Sequence, residues 1–168
     1  GLVSPGNVHA SEEHCYALLQ LAKKHKIKNV FVHAILDGRD TQYNSAPDFI
    51  ARLQKKMHTY RVGVIASLSG RFYAMDRDSR WERTEKAWQA MVLGKGEVGK
   101  SPDEVIEAFY QKKITDEFIV PTVIVDKNDK PKGLVSDNDA VVFLNYRADR
   151  ARQLHPRRPC QCRTGGEQ

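Results

Sequence analysis

The chain has 168 residues, a length that suits a single domain with a real hydrophobic core. Its composition, 40% hydrophobic and 29% charged with both signs well represented, excludes a disordered or fibrous chain. The formal net charge of +6 admits anionic ligands but does not choose among nucleic acid, phosphorylated metabolites and membranes.

The longest apolar runs, residues 30–36 and 140–144, are too short to span a bilayer, and no apolar h-region opens the chain. Three cysteines without framework spacing, Cys15, Cys160 and Cys162, predict a reduced, cytoplasmic setting. Lys23, Lys24, Lys26 and Lys28 read as the solvated end of a helix and its turn.

In chain order, Leu2 and Val3 read as a strand end, followed by a loop through Ser4, Pro5, Gly6, Asn7, Val8 and His9. Ser11 reads as an N-cap, with Glu12 and Glu13 where the helix dipole favours acid. Cys15, Leu18, Leu19 and Ala22 then follow helical spacing and predict an amphipathic helix with Cys15 in the core. Residues 29–36 (NVFVHAIL) are apolar almost throughout, which predicts a strand covered on both faces. His33 within it reads as a satisfied core histidine, while His14 and His25 read as surface groups.

Asp37-Gly38-Arg39-Asp40 closes that strand. Ser45 with Asp48 resembles a capping box, and Phe49, Ile50, Leu53, Met57 and Tyr60 give a second helix. Residues 62–68 are the next predicted strand. It runs into residues 69–83, the densest polar stretch, with arginines, aspartates and aromatic rings at a strand's end. Trp81, Thr84, Trp88, Met91 and Val92 mark a third helix, with both tryptophans assigned to the core and Arg80 and Arg83 to solvent.

Residues 94–100 read as a glycine-bearing connector. Ser101-Pro102-Asp103-Glu104 is a strong helix start, with Val105, Ile106 and Phe109 on its buried side. Residues 118–125 are extended, and Pro121 predicts an edge position. Residues 140–144 are the last predicted strand, followed by Asn145 through Arg152. Residues 155–168 have no periodicity and read as an irregular or foreign tail, which holds Cys160 and Cys162. Strand–helix alternation predicts an α/β fold in three layers, α/β/α, with a mostly parallel sheet and a ligand crevice at the C-terminal strand ends.

Parallel strands share one such edge. Arg39 and Asp40, Arg71 through Arg77, and Arg147 through Arg150 therefore converge, joined by His9 from the first loop. Gathered guanidinium forks suit a small ligand with more than one anionic group. Asp40 among them can accept a proton from a substrate hydroxyl. Each residue also has a plainer reading. A lone arginine is commonly a surface ion-pair member, Asp76 and Asp78 can pair with Arg77 and Arg80, and Asp37 and Asp40 can be turn formers. No HExxH, paired CxxC, GxSxG, Walker A or GxGxxG pattern is present, so the chain shows neither a metal motif nor a nucleophile motif of its own. A nucleic-acid or other polyanion-binding α/β module is the alternative; the aspartates interleaved with the arginines argue against it.

Four ordered blocks are specific enough to name a family. They are Ser4-Pro5-Gly6-Asn7-Val8-His9; Leu36-Asp37-Gly38-Arg39-Asp40-Thr41; Ser69-Gly70-Arg71-Phe72-Tyr73-Ala74-Met75-Asp76-Arg77-Asp78 with Arg80-Trp81; and Asn145-Tyr146-Arg147-Ala148-Asp149-Arg150-Ala151-Arg152. Over residues 1–154 the chain closely resembles the inserted transferase domain of cofactor-independent (2,3-bisphosphoglycerate-independent) phosphoglycerate mutases. The resemblance implies a two-domain isomerase of glycolysis and gluconeogenesis that interconverts 3-phosphoglycerate and 2-phosphoglycerate. Its other, phosphatase-like domain would carry the serine nucleophile and two Mn²⁺ ions, and this chain would bind no cofactor itself. By motif, His9, Arg39, Asp40, Arg71, Arg77, Arg147 and Arg150 match substrate-binding positions, with Asp40 as acid/base. The resemblance further implies a monomer, no nucleic acid or membrane partner, and no turnover by this domain alone. Where the family usually has Gly-Gly-Val-His-Ser-His, this chain has Gly6-Asn7-Val8-His9-Ala10-Ser11.

Overall fold

Apolar strands have two faces to cover, and here helices cover both. The computed structural model describes residues 1–154. In order the elements are α1 (Glu12–Lys24), β1 (Phe31–Leu36), α2 (Ala46–Tyr60), β2 (Val64–Gly70), α3 (Arg71–Ala74), α4 (Trp81–Trp88), β3 (Glu97–Gly99), α5 (Pro102–Gln111), β4 (Thr122–Ile124) and α6 (Ala148–Leu154). A π-helical turn follows α4 at Gln89–Leu93, and a 3-10 turn precedes β4 at Asp116–Phe118.

The four strands lie in the order β1-β2-β4-β3. β1 pairs with β2 and β3 with β4 in parallel, while β2 and β4 are antiparallel, so the α/β sheet is mixed. Leu2 adds a parallel bridge to Ile35 on the outer side of β1. Ala34, Leu36, Ile65 and Leu68 pack with α1, α2 and α5 on one face. Leu2 and Ile35 pack with Ala74 of α3, Met75 just after it, Ala87 of α4 and Leu154 of α6 on the other. No helix among the described residues is long and apolar enough to cross a membrane.

Several expectations are corrected. The stretch around Pro121 is not an edge: β4 lies between β2 and β3, and Pro121 stands just ahead of the ladder, where its carbonyl accepts the amide of Glu97. The edge is β3, inside the stretch read as a connector. Residues 140–144 form no ladder: segment 1–3 bridges the outer side of β1, and its one hydrogen bond toward this region is from the Leu2 amide to the side chain of Asn145, just beyond the stretch. Trp81 is 60% exposed, since Thr84 and Ala87 turn inward instead. The Ser45 capping box does not form. The buried Asp116 carboxylate accepts the amides of Ser45 and Ala46, each at 2.9 Å, and caps α2 from far along the chain. Ser101 does cap α5, accepting the Glu104 amide. The tail with Cys160 and Cys162 lies outside the described residues.

His33 is satisfied as expected, its Nδ1 2.8 Å from the Ser67 hydroxyl, but it is half-buried rather than in the core. Burial pushes its imidazole down to about 4 from an ordinary 6.5. Between those values the unfolded chain holds a proton that the folded chain does not, so stability rises with pH across that window. The unfolding free energy should fall by about 2 kcal/mol from neutral pH to pH ~4.5 through this group, and His33→Asn should remove that part of the slope. Equal pH slopes in urea titrations of both proteins would contradict the assignment.

Candidate functional site

The loop after segment 1–3, the loop after β1, the α3–α4 region after β2, and residues 145–150 all emerge at the same end of the sheet. They enclose a cleft of about 260 Å³. All seven residues singled out from the sequence, His9, Arg39, Asp40, Arg71, Arg77, Arg147 and Arg150, line it. Phe72, Met75, Asp76, Asp78, Arg83 and Glu117 complete the wall. Six arginines thus face four carboxylates in one small space.

The cleft is assembled around Asp37, which lies behind its lining. The Asp37 side chain is 1% exposed. It accepts the Ser4 hydroxyl at 2.6 Å, the Arg39 amide at 3.2 Å, the Asp40 amide at 3.0 Å and an Arg71 Nη at 2.6 Å. Burial alone would push its carboxyl up, but the Ser4 hydroxyl, the Asp40 amide and the Arg71 guanidinium outweigh it and hold the pKa below the ordinary value. The same Arg71 nitrogen donates to Asp40 at 2.6 Å. Arg71 is itself buried at the first turn of α3, directly after the last residue of β2. That last residue, Gly70, lies so close to the turn before β4 that a Cβ would stand 2.2 Å from the Glu117 carbonyl oxygen. Only glycine permits this approach, which brings Glu117 to the cleft.

The remaining arginines differ in how they are held. Arg39 is 56% exposed and donates to Glu117 at 3.3 Å. Arg77 is 63% exposed and stands 3.8 Å from Asp78. Arg147 is exposed. Arg150 is the contrast. Its side chain is 12% exposed, with Asp149 at 3.8 Å, and its Nε is buried without a hydrogen-bond partner among the described residues. Burial and the charges of Arg71, Arg77 and Arg147 lower its pKa, against the opposing pull of Asp149. His9 is buried too, and its Nδ1 likewise has no partner. Burial first, then Arg150, Arg71 and Arg147, lower its pKa, with Asp40 opposing. The Tyr146 amide donates to the His9 carbonyl at 2.7 Å, which ties the His9 loop to the stretch carrying Arg147 and Arg150. Asn7 has φ of 55°, a left-handed conformation that asparagine tolerates, so it serves in this loop where the family pattern has glycine.

Three contributors, Asp37, Glu117 and Arg83, escaped the sequence reading. Asp37 reads as a turn former, and only its burial reveals its role. Glu117 comes from a turn whose position depends on the antiparallel β4. Arg83, assigned to solvent, donates to Asp76 at 3.3 Å and lies over the Phe72 ring at 3.8 Å from its centroid. Asp76 also accepts the amides of Asp78 and Arg80, each at 2.9 Å, and so shapes the loop that carries Arg77. Among the described residues no group of three or more His, Cys, Asp or Glu could hold a metal ion. Guanidinium groups donate hydrogen bonds to anions and do not ligate metal ions.

Comparison with known proteins agrees with the motif resemblance. Residues 1–157 match the family model described as BPG-independent PGAM N-terminus. A 2,3-bisphosphoglycerate-independent phosphoglycerate mutase of Clostridium acetobutylicum is 54% identical over 154 residues, covering 92% of this chain and 30% of that protein. One from Myxococcus xanthus is 50% identical over 156 residues, with the same shares covered. A solved structure of Leishmania mexicana phosphoglycerate mutase superposes with a TM-score of 0.88 at 36% identity, covering 92% of this chain and 30% of that one. The chain therefore spans about 30% of the length of the relatives it matches.

Replacing Asp37 with Asn keeps its size but leaves Arg71 short of one buried counter-charge. Asp37→Asn should lower the unfolding free energy by about 2–3 kcal/mol, whereas Arg77→Gln, on an exposed side chain, should change it by no more than about 0.5 kcal/mol. Urea denaturation of both variants checks this, and equal effects would remove Asp37 from its organising position.

Proposed function

Because the chain belongs to the BPG-independent PGAM N-terminus family, we propose that residues 1–154 form the phosphoglycerate-holding domain of a cytoplasmic mutase. The reaction interconverts 3-phosphoglycerate and 2-phosphoglycerate in glycolysis and gluconeogenesis. The phosphoryl group passes through a serine on a separate phosphatase-like domain, which also holds the family's metal ions. This cleft supplies what that chemistry requires of a partner: it holds the glycerate, orients its hydroxyls and shields the transferring group's charge.

The observation that carries this reading is the pair of buried, unpartnered nitrogens, Arg150 Nε and His9 Nδ1, at a cleft lined by six arginines. Buried polar atoms left without partners are costly, and an anionic oxygen accepts from the Arg150 Nε–H and from the His9 ring in its Nδ1–H form. Arg147 and Arg150 accordingly face the phosphoryl group, and Arg39, Arg71 and Arg77 hold carboxylate and hydroxyls. Asp40, steadied by Arg71, exchanges a proton with a glycerate hydroxyl.

Calorimetric titration tests the proposal. The isolated chain should bind 3-phosphoglycerate weakly, with Kd on the order of 0.1–1 mM, and Arg150→Gln should weaken binding about tenfold. It should turn over nothing, with or without metal, because half of the transfer site lies on the other domain. Binding no tighter than that of unphosphorylated glycerate, or metal-dependent turnover by this chain alone, would overturn the reading.

A further inference from the structure

Each of the four carboxylates lining the cleft meets a different arginine. Asp40 meets Arg71 at 2.6 Å, Asp76 meets Arg83 at 3.3 Å, Asp78 meets Arg77 at 3.8 Å and Glu117 meets Arg39 at 3.3 Å. Arg147 and Arg150 are left over; the acid beside Arg150, Asp149 at 3.8 Å, is exposed and lies outside the lining. His9 joins these two from the outer side of β1, whereas Glu117 enters ahead of β4, beyond β2. The cleft is therefore lopsided: cationic on the His9 flank and nearly charge-balanced on the Glu117 flank.

Glu117 presents its carboxylate from a backbone that has no room to retreat. A Cβ on Gly38 would stand 2.9 Å from the Glu117 amide nitrogen, and one on Gly70 only 2.2 Å from the Glu117 carbonyl oxygen, so the loop after β1 and the end of β2 both press on this residue. The Asp116 carboxylate anchors the same turn on the amides of Ser45 and Ala46. The Glu117 side chain is 18% exposed and bonds to Arg39 alone. A fixed carboxylate repels an arriving anion in proportion to the anion's charge. A ligand carboxylate brings one negative charge, and a phosphoryl monoester about 1.5 to 2 at neutral pH.

We propose that Glu117 is a specificity-determining residue, which makes the Arg39 flank accept a carboxylate or hydroxyl and reject a second phosphoryl group; this rests on reading the cleft as a phosphoglycerate site. The cleft thereby takes ligands with one phosphoryl group and sets their direction, with that group on Arg147 and Arg150. A neutral side chain in place of Glu117 would leave Arg39 uncompensated and give the cleft two flanks that each suit a dianion. Its ligands would then include bisphosphorylated ones.

Calorimetric titration of the chain and of Glu117→Gln with 3-phosphoglycerate and with 2,3-bisphosphoglycerate tests this. Removing the charge should tighten 3-phosphoglycerate about threefold and 2,3-bisphosphoglycerate about tenfold, because twice the ligand charge doubles the repulsion relieved. Glu117→Asp, which keeps the charge, should keep most of the preference for the singly phosphorylated ligand. The readout is a ratio of two Kd values on one protein, so a partly unfolded sample lowers the stoichiometry of both titrations and leaves the ratio unchanged. If Glu117→Gln changes both affinities by the same factor, or neither, the proposal is overturned while the phosphoglycerate site stands. If the unaltered chain binds 3-phosphoglycerate no better than unphosphorylated glycerate, the site reading falls and this proposal with it.

Discussion

The Asp37 carboxylate collects the Ser4 hydroxyl, the amides of Arg39 and Asp40, and the Arg71 guanidinium at one strand end. These donors come from three stretches that are distant in sequence: the loop after segment 1–3, the loop after β1, and the start of α3. Taking a carboxylate and a guanidinium out of water costs several kcal/mol per ion, and only a complete set of bonds offsets that. The loops are thereby locked into one arrangement before any ligand arrives, which spares an anion the entropy of ordering them. Asp37 also places a negative charge behind six arginines that otherwise repel one another.

Asp116 does the corresponding work on the other side of the cleft. Fully buried, it accepts the first amides of α2 and the Tyr110 hydroxyl, and so fastens the turn before β4 to the rest of the domain. That turn lies against Gly70 and delivers Glu117 to Arg39 and Phe118 to the Phe72 ring. The antiparallel pairing of β2 and β4 therefore has a functional consequence: it brings the entrance of β4, not its exit, to the cleft.

The convergence of the cleft was legible in the sequence because it follows from topology. Parallel strands end together, so Arg39, Asp40, Arg71 and His9 needed only correct strand assignments to be placed near one another. What the sequence concealed depends on contacts between distant residues. Asp116 takes the cap that Ser45 and Asp48 suggest locally. Pro121 signals an edge in isolation, yet its missing amide falls just before the ladder. The helical spacing of Trp81 and Trp88 points both inward, but small Ala87 and Thr84 allow α4 to pack closely, which leaves Trp81 outside and turns Arg83 onto Phe72. Residues 140–144 have strand composition without a strand's pairing, because composition does not specify a neighbour.

The arginines divide by what already holds them. One Arg71 nitrogen is shared by Asp37 and Asp40, whereas Arg150 Nε and His9 Nδ1 are buried without partners among the described residues. In this account the Arg71 nitrogen bonded to Asp37 and Asp40 is scaffold, its remaining N–H groups stay for the substrate's carboxylate and hydroxyls, and Arg150 and His9 receive the phosphoryl group. NMR of the guanidinium and imidazole resonances during titration with 3-phosphoglycerate tests that division most directly. The Arg150 Hε and His9 ring signals should shift together and saturate, with the bonded Arg71 Nη signal nearly unmoved. Unchanged Arg150 and His9 signals, with shifts confined to the exposed lysines of α1 and its following turn, would contradict it.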